Sequence, residues 1–169
     1  MQTIILGGGC FWCTEAVFLK VKGVQAVTSG YAGGQAHTAD YEAVCGGDTG
    51  HVEVIKVDFD DKVIDLSTIL DIFFVIHDPT TLNRQGNDIG TQYASVIFYH
   101  NDDDLPIIQQ KINQLKADDM AVVTRVEKAP PFYVAESYHQ NFFAKNPTQG
   151  YCNFAIPPKL AKLREKFTQ

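Results

Sequence analysis

The alternation of apolar and polar positions divides the chain into short strands and helices, with no repeat or low-complexity tract between them. Residues 3–6 (TIIL) form a short apolar run halted by Gly7–Gly9, which predicts a buried strand. Residues 13–21 then carry Ala16, Val17 and Val21 at helical spacing. Residues 24–32 (VQAVTSGYA) and 94–99 (ASVIFY) read as strands, and residues 52–59 (VEVIKVDF) alternate most cleanly of all. STILDIFFVIH, residues 67–77, is apolar at helical length, with Ser67 placed to cap it. Residues 103–117 read as a helix capped by Asp103 or Asp104, with Pro106 tolerated in its first turn. Residues 122–127 (VVTRVE) predict an edge strand, and AESYHQNFFAKN and PPKLAKLREKF predict two closing helices.

The core succession is β-α-β-β-α-β. It predicts an α+β fold: a two-layer α/β sandwich with a ferredoxin-like split βαβ core and a C-terminal extension, in one catalytic domain over residues 1–169. Two stretches fall outside that pattern. Residues 33–51 and 78–93 are long, punctuated by glycine, and rich in polar and aromatic side chains. Loops of that length inside one domain are read here as functional, because they carry residues that a site would use.

Composition narrows the class of partner. The apolar share is 45%, the charged share 20% and the net charge −6, with acidic and basic residues interleaved. A nucleic-acid or anionic-membrane surface would need a basic patch, so both are disfavoured. MQTIIL lacks the basic start and length of a secretory signal, and no apolar run is long enough to span a membrane. The expected compartment is therefore the cytoplasm, where thiols stay reduced. There, Cys10, Cys13, Cys45 and Cys152 are better read as catalytic, metal-binding or buried than as a disulfide frame.

The stretch GGGCFWCTEAVF, residues 7–18, concentrates the candidate chemistry. Cys10 follows a strand and three glycines and stands where a helix begins. Unpaired N–H groups and a partial positive charge there would favour a thiolate, so a reactive, low-pKa thiol is expected. Cys13 falls one turn later on the same helix face. Two other uses of Cys-x-x-Cys stay open. A structural zinc site would want a second close pair of ligands, whereas Cys45 and Cys152 lie far apart in sequence. A dithiol–disulfide oxidoreductase would also place Cys-x-x-Cys after a strand, although Phe11 and Trp12 would be unusual between its cysteines.

Five blocks in order, GCFWCTEAVF, SGYAGG, GDTGHVEV, HDPTTLNRQGNDIGTQY and HQNFFAKNPTQGYC, closely resemble the A-type peptide methionine sulfoxide reductases over residues 4 to about 160. The resemblance implies reduction of methionine S-sulfoxide, free and in proteins, by a peptide-methionine (S)-S-oxide reductase. It further implies thioredoxin as reductant, with no metal and no bound organic cofactor. Cys10 then matches the nucleophile that attacks the sulfoxide sulfur and is left as a sulfenic acid. Phe11 and Trp12 match the aromatics holding the substrate methyl group, and Glu53 the acid that protonates the sulfoxide oxygen. Tyr41 and Tyr93 match hydroxyls that hydrogen-bond that oxygen, and Asp88 a polar residue orienting the site.

These roles agree with elementary chemistry. A sulfoxide oxygen leaves only if it is protonated as the sulfur is attacked, so Glu53 must keep its proton near neutral pH, as burial would favour. On its own, Glu53 in an alternating strand reads as an outward, solvated residue. Tyr41 and Tyr93 alone read as half-buried loop tyrosines, and Asp88 as a turn residue. His51 and His77 read as hydrogen-bonding or structural residues, and Cys45 as a structural or spectator thiol. Many relatives have glycine where Cys13 stands and carry further cysteines in a glycine-rich tail; here NFAIPPKLAKLREKF follows Cys152 instead. Cys152, in GYC, matches the usual first recycling position and is expected to resolve the sulfenic acid, with Cys13 as its rival.

Overall fold

A computed structural model describes residues 1–167. Its central sheet is built from β1 (Gln2–Gly8), β2 (Val24–Ala32), β3 (Val52–Phe59) and β6 (Ser95–Tyr99), flanked by β7 (Arg125–Lys128) and β8 (Phe132–Val134). The spatial order is β7-β6-β1-β3-β2-β8, antiparallel at every pairing except β6 with β7. The helices are α1 (Phe11–Phe18), α2 (Tyr41–Cys45), α3 (Leu66–Ile76), α4 (Asp104–Ala117), α5 (Phe142–Lys145) and α6 (Gly150–Lys166). A small hairpin, β4 (Arg84–Gln85) and β5 (Asp88–Ile89), stands apart from the main sheet. The expected α+β architecture is therefore present, with α1 linking β1 to β2 and α3 lying between β3 and β6 in the chain.

Strand alternation decides which side chains meet the helices. Ile4 and Leu6 of β1, Tyr31 of β2 and Ile55, Val57 and Phe59 of β3 pack with Phe11, Val17 and Phe18 of α1 and with the apolar face of α3. Ile5, Ala32, Val52, Val54, Val96 and Phe98 point the other way, into a second apolar cluster joined by Ala129 and Phe132. Both faces of β3 are thus covered, which the sequence did not suggest, and Glu53 lies on the helix side, buried.

Several boundaries differ from expectation for local reasons. Helix α3 is capped by Asp65, whose carboxylate accepts from the Thr68 N–H at 2.8 Å, and Ser67 lies inside the helix. The edge strand falls at residues 125–128, later than expected. AESYHQNFFAKN does not form one helix: Gln140 is extended and Asn141 sits at φ +55°, leaving a 3-10 turn at Ser137–His139 and the short α5. Helix α6 begins at Gly150, seven residues before the expected start, and runs through Pro157 and Pro158. The two long loops hold α2 and the β4–β5 hairpin, and β8 was not foreseen. Among the described residues, no helix is long and apolar enough to cross a membrane.

Candidate active site

Cys10 is the N-cap of α1, reached directly from β1 through Gly9. Gly9 has φ +92°, and a Cβ there would fall 2.8 Å from Gln85 of the hairpin, so the turn that delivers Cys10 requires glycine. The Cys10 carbonyl accepts from the N–H groups of Cys13 and Thr14, fixing the sulfur at the helix start. One expectation is overturned here. The Trp12 backbone N–H does favour the Cys10 thiolate, as a helix start should. Burial, the interaction with Cys13 and the Glu53 carboxyl together outweigh it, and the Cys10 thiol is pushed well above its ordinary range.

Glu53 enters from β3 beneath the first turn of α1. Its Oε1 accepts from the Phe11 N–H at 3.1 Å. Burial dominates its environment and raises its carboxyl to about 8, opposed by the Phe11 N–H and assisted by Asp88 and Cys13. The solvated reading of this residue is therefore replaced by a buried acid that is protonated at neutral pH.

The tyrosines arrive on the two irregular stretches, Tyr41 at the start of α2 and Tyr93 at the end of a 3-10 turn. Burial first, and then the nearby Glu53 and Cys10, raise both hydroxyls far above ordinary phenol values, so they remain neutral donors. Tyr41 is additionally hydrogen-bonded to Cys45, which gives that exposed thiol a contact with the site. Asp88, at the start of β5, accepts a hydrogen bond from the Tyr151 hydroxyl.

Phe11 and Trp12 separate in role. The Phe11 ring is fully enclosed, packed on Tyr31 and His139 with ring centres 5.6 and 5.1 Å away, and only its backbone N–H reaches Glu53. Trp12 is half-buried, stacked on Phe142 at 3.8 Å, and faces Tyr41 at 6.3 Å. Its indole N–H donates to His139 Nδ1 at 3.0 Å. Glu136 accepts from the Tyr31 hydroxyl and the Tyr41 N–H, tying α2 to this cluster.

Cys13 points from α1 into an apolar cluster with Ala16, Cys152 and Ile156, which Cys10 and Trp12 border. Cys13 and Cys10 act on each other, and that interaction pulls the Cys13 thiol down while pushing Cys10 up. Cys152, on the first turn of α6, is fully enclosed behind Cys13; burial raises its thiol to about 11. A cavity of about 420 Å³ opens on this side, lined by Cys10, Cys13, Asp88, Tyr151, Phe154 and Lys159 among others.

The two histidines have structural partners. His51 Nδ1 accepts from the Gly34 N–H and Nε2 donates to the Gln35 carbonyl. His77 donates from Nδ1 to the Phe73 carbonyl and accepts at Nε2 from Ser95. Among the described residues, no three His, Cys, Asp or Glu side chains converge as a metal site. Cys10, Glu53, Tyr41, Tyr93 and Asp88, spread over 84 positions of sequence (residues 10–93), are thus brought around one sulfur. Tyr151, His139 and Glu136 escaped the sequence reading. They lie in segments whose only local signal is aromatic and polar richness.

Comparison with known proteins agrees with this geometry. A sequence model described as "Peptide methionine sulfoxide reductase" matches residues 2–169. "Peptide methionine sulfoxide reductase MsrA" of Psychrobacter cryohalolentis is 64% identical, over 100% of this chain and 98% of its own. The crystal structure of Mxr1 from Saccharomyces cerevisiae in reduced form superposes with a TM-score of 0.84 at 39% identity, covering 92% of this chain and 89% of its own. Mxr1 in complex with Trx2 matches with a TM-score of 0.58 at 28% identity, covering 83% and 84%.

Proposed function

Because the chain belongs to the peptide methionine sulfoxide reductase family, we propose that it reduces methionine S-sulfoxide, free and in proteins, and is regenerated by thioredoxin in the cytoplasm. Residues 1–169 act as one catalytic domain. The observation that carries this reading is the buried Glu53 carboxyl, raised to about 8 and set beside Cys10 at the start of α1.

The sulfoxide methyl lies against Trp12, and its oxygen takes hydrogen bonds from the Tyr41 and Tyr93 hydroxyls. Glu53 donates its proton to that oxygen as Cys10 Sγ attacks the sulfur. The Cys10 thiol stays neutral until this moment. A positively charged, protonated sulfoxide is what makes loss of its proton favourable in a buried site, and that proton returns to Glu53. The substrate S–O bond breaks as its hydroxyl passes to Cys10 Sγ. The transient bond between Cys10 Sγ and the substrate sulfur breaks, methionine leaves, and Cys10 is left as the sulfenic acid. Two neutral phenols can donate where charge develops without themselves ionising.

For resolution, the geometry favours Cys13 over Cys152. Cys13 lies one turn from Cys10 at the start of α1 and lines the same cavity, whereas Cys152 is fully enclosed in the apolar cluster. Condensation of the sulfenic acid with the Cys13 thiol forms the disulfide and releases water. A reductant of the kind bound by Mxr1 in its complex with Trx2 then restores both thiols. The test is sulfoxide-dependent consumption of NADPH in the presence of thioredoxin and its reductase. Turnover is expected with the S epimer and not the R epimer. No turnover with S-sulfoxide would reject the proposal.

A further inference from the structure

Cys13 is the residue of the Cys-x-x-Cys pair whose surroundings the reduction step leaves unused. Its sulfur lies 3.8 Å from the Tyr151 hydroxyl oxygen, and that hydroxyl donates to Asp88 Oδ2. A phenol has one proton to give, so with Asp88 as its acceptor it can only accept from the Cys13 thiol. Cys10 borders the apolar cluster that holds Cys13, so the groups line up from Cys10 through Cys13 and Tyr151 to Asp88. The same cavity wall carries Lys159, which follows Pro158 in α6 and is half-buried.

Two features fix Lys159 in place. Its ammonium donates to the Ile76 carbonyl at the end of α3, at 2.7 Å. Among the described residues it makes no ion pair, so its charge is not already neutralised by a carboxylate contact. Charged and titratable groups that act on Cys13 come from every side: Cys10 of α1, Glu53 of β3, Asp88 of β5, and Tyr151, Cys152 and Lys159 of α6. Lys159 is the only cation in that set.

We propose that Tyr151 and Lys159 activate Cys13 for the resolving step, Tyr151 as the catalytic group that carries the thiol proton to Asp88 and Lys159 as a positioning residue whose charge holds the thiolate. This rests on the assignment of Cys13 as resolver. Tyr151 passes its proton to Asp88 and takes that of Cys13. The Cys13 thiolate then attacks Cys10 Sγ, the S–S bond forms and the S–OH bond breaks. The hydroxyl departs as water by taking a proton from Tyr151, which recovers its own from Asp88, so the relay ends as it began and no further oxidant or reductant is needed. The Cys13 thiol is lowered overall, chiefly by Cys10 and further by Lys159, against burial and the Asp88 carboxylate.

The experiment is a single turnover of the full-length protein with one equivalent of N-acetyl-methionine sulfoxide and no reductant. Methionine release, dimedone-trapped sulfenic acid and the thiol map are read by quenched mass spectrometry across pH. In Tyr151→Phe the sulfenic acid is expected to outlast that of the parent by about a hundredfold. In Lys159→Met the pH midpoint of disulfide formation is expected to rise by about one unit, and Lys159→Arg to restore it. Parent-like rates and midpoints in both Tyr151→Phe and Lys159→Met would overturn the proposal. A Cys10–Cys152 link in the parent protein would overturn the resolver assignment and this proposal with it. Absence of released methionine would instead reject the activity itself.

Discussion

In the proposed reaction Glu53 acts as an acid at a pH where glutamate is ordinarily a base, and burial holds its carboxyl protonated there. Replacing it with glutamine keeps an oxygen for the Phe11 N–H and removes the proton that the sulfoxide needs. Glu53→Gln is therefore expected to lower kcat by about a hundredfold or more while leaving circular dichroism unchanged. In the unaltered protein the acid form is lost as pH rises through about 8, so kcat should fall above that pH. Stability carries the same signature. Glu53 titrates near 4.5 when unfolded and near 8 when folded, so the native state holds the proton more tightly. Its neutral form carries no ionisation penalty below pH 4.5, and stability declines as pH rises from there through about 8. At pH 7 this amounts to about 3 kcal/mol, which Glu53→Gln should recover. Urea unfolding of both proteins at pH 5 and pH 8 checks this: the variant's advantage must grow with pH. The role of Glu53 was legible only through its resemblance to a family. Its burial was not, because an alternating strand says nothing about whether its second face is covered.

At the scale of elements, termini decide more than periodicity does. Helix α3 was visible from its apolar run, yet its true cap is Asp65, which bonds the Thr68 N–H. Thr68, through its side chain first and its N–H second, holds the Asp65 carboxyl below its ordinary 3.8. A depressed carboxyl stabilises the fold above its unfolded pKa and loses that contribution as pH falls through the folded value. Asp65→Ala should thus cost about 1 kcal/mol at pH 7 and progressively less below pH ~3.8, measured by urea midpoints. The junction of β1 with α1 is less tolerant. A Cβ on Gly8 would lie 3.0 Å from the Phe73 ring of α3 and 3.1 Å from the ring of His77, the buried residue that caps α3. Gly8→Ala is expected to destabilise the protein by about 1–3 kcal/mol through overpacking, read as a lower unfolding midpoint. Helix α6 was missed over its first seven residues. Pro157 and Pro158 suggested a helix start, whereas packing of Cys152 and Ile156 against α1 extends the helix upstream of them.

Across the molecule, two buried titrating groups pull stability in opposite directions. His77 is fully enclosed and lowered to about 4, chiefly by burial, so it binds a proton more readily when unfolded. Its contribution is complete above pH 6.5 and lost as pH falls through about 4, which amounts to about 3 kcal/mol. Glu53 acts in the reverse sense from 4.5 to 8. The two oppose each other between pH 4.5 and 6.5, so the pH dependence from this pair is small there and falls away on either side. In Glu53→Gln the alkaline fall should lessen and the acid fall persist.

The sequence by itself determined the α+β class and the strand–glycine–cysteine–helix junction, and it marked Cys10 as the candidate nucleophile. Each is local: a run of apolar residues, a turn that only glycine permits, a thiol at a helix start. Family resemblance added the acid and the hydroxyls as residue types. Tertiary structure decided what those groups can do, because pKa values and partners depend on neighbours far away in the chain. Burial made Glu53 an acid and raised Cys10 where the helix start alone would have lowered it. The packing of α1 against α6 placed Tyr151 and Lys159 beside Cys13, and the β4–β5 hairpin brought Asp88 to Tyr151, giving the second cysteine a setting that no spacing in the sequence encodes.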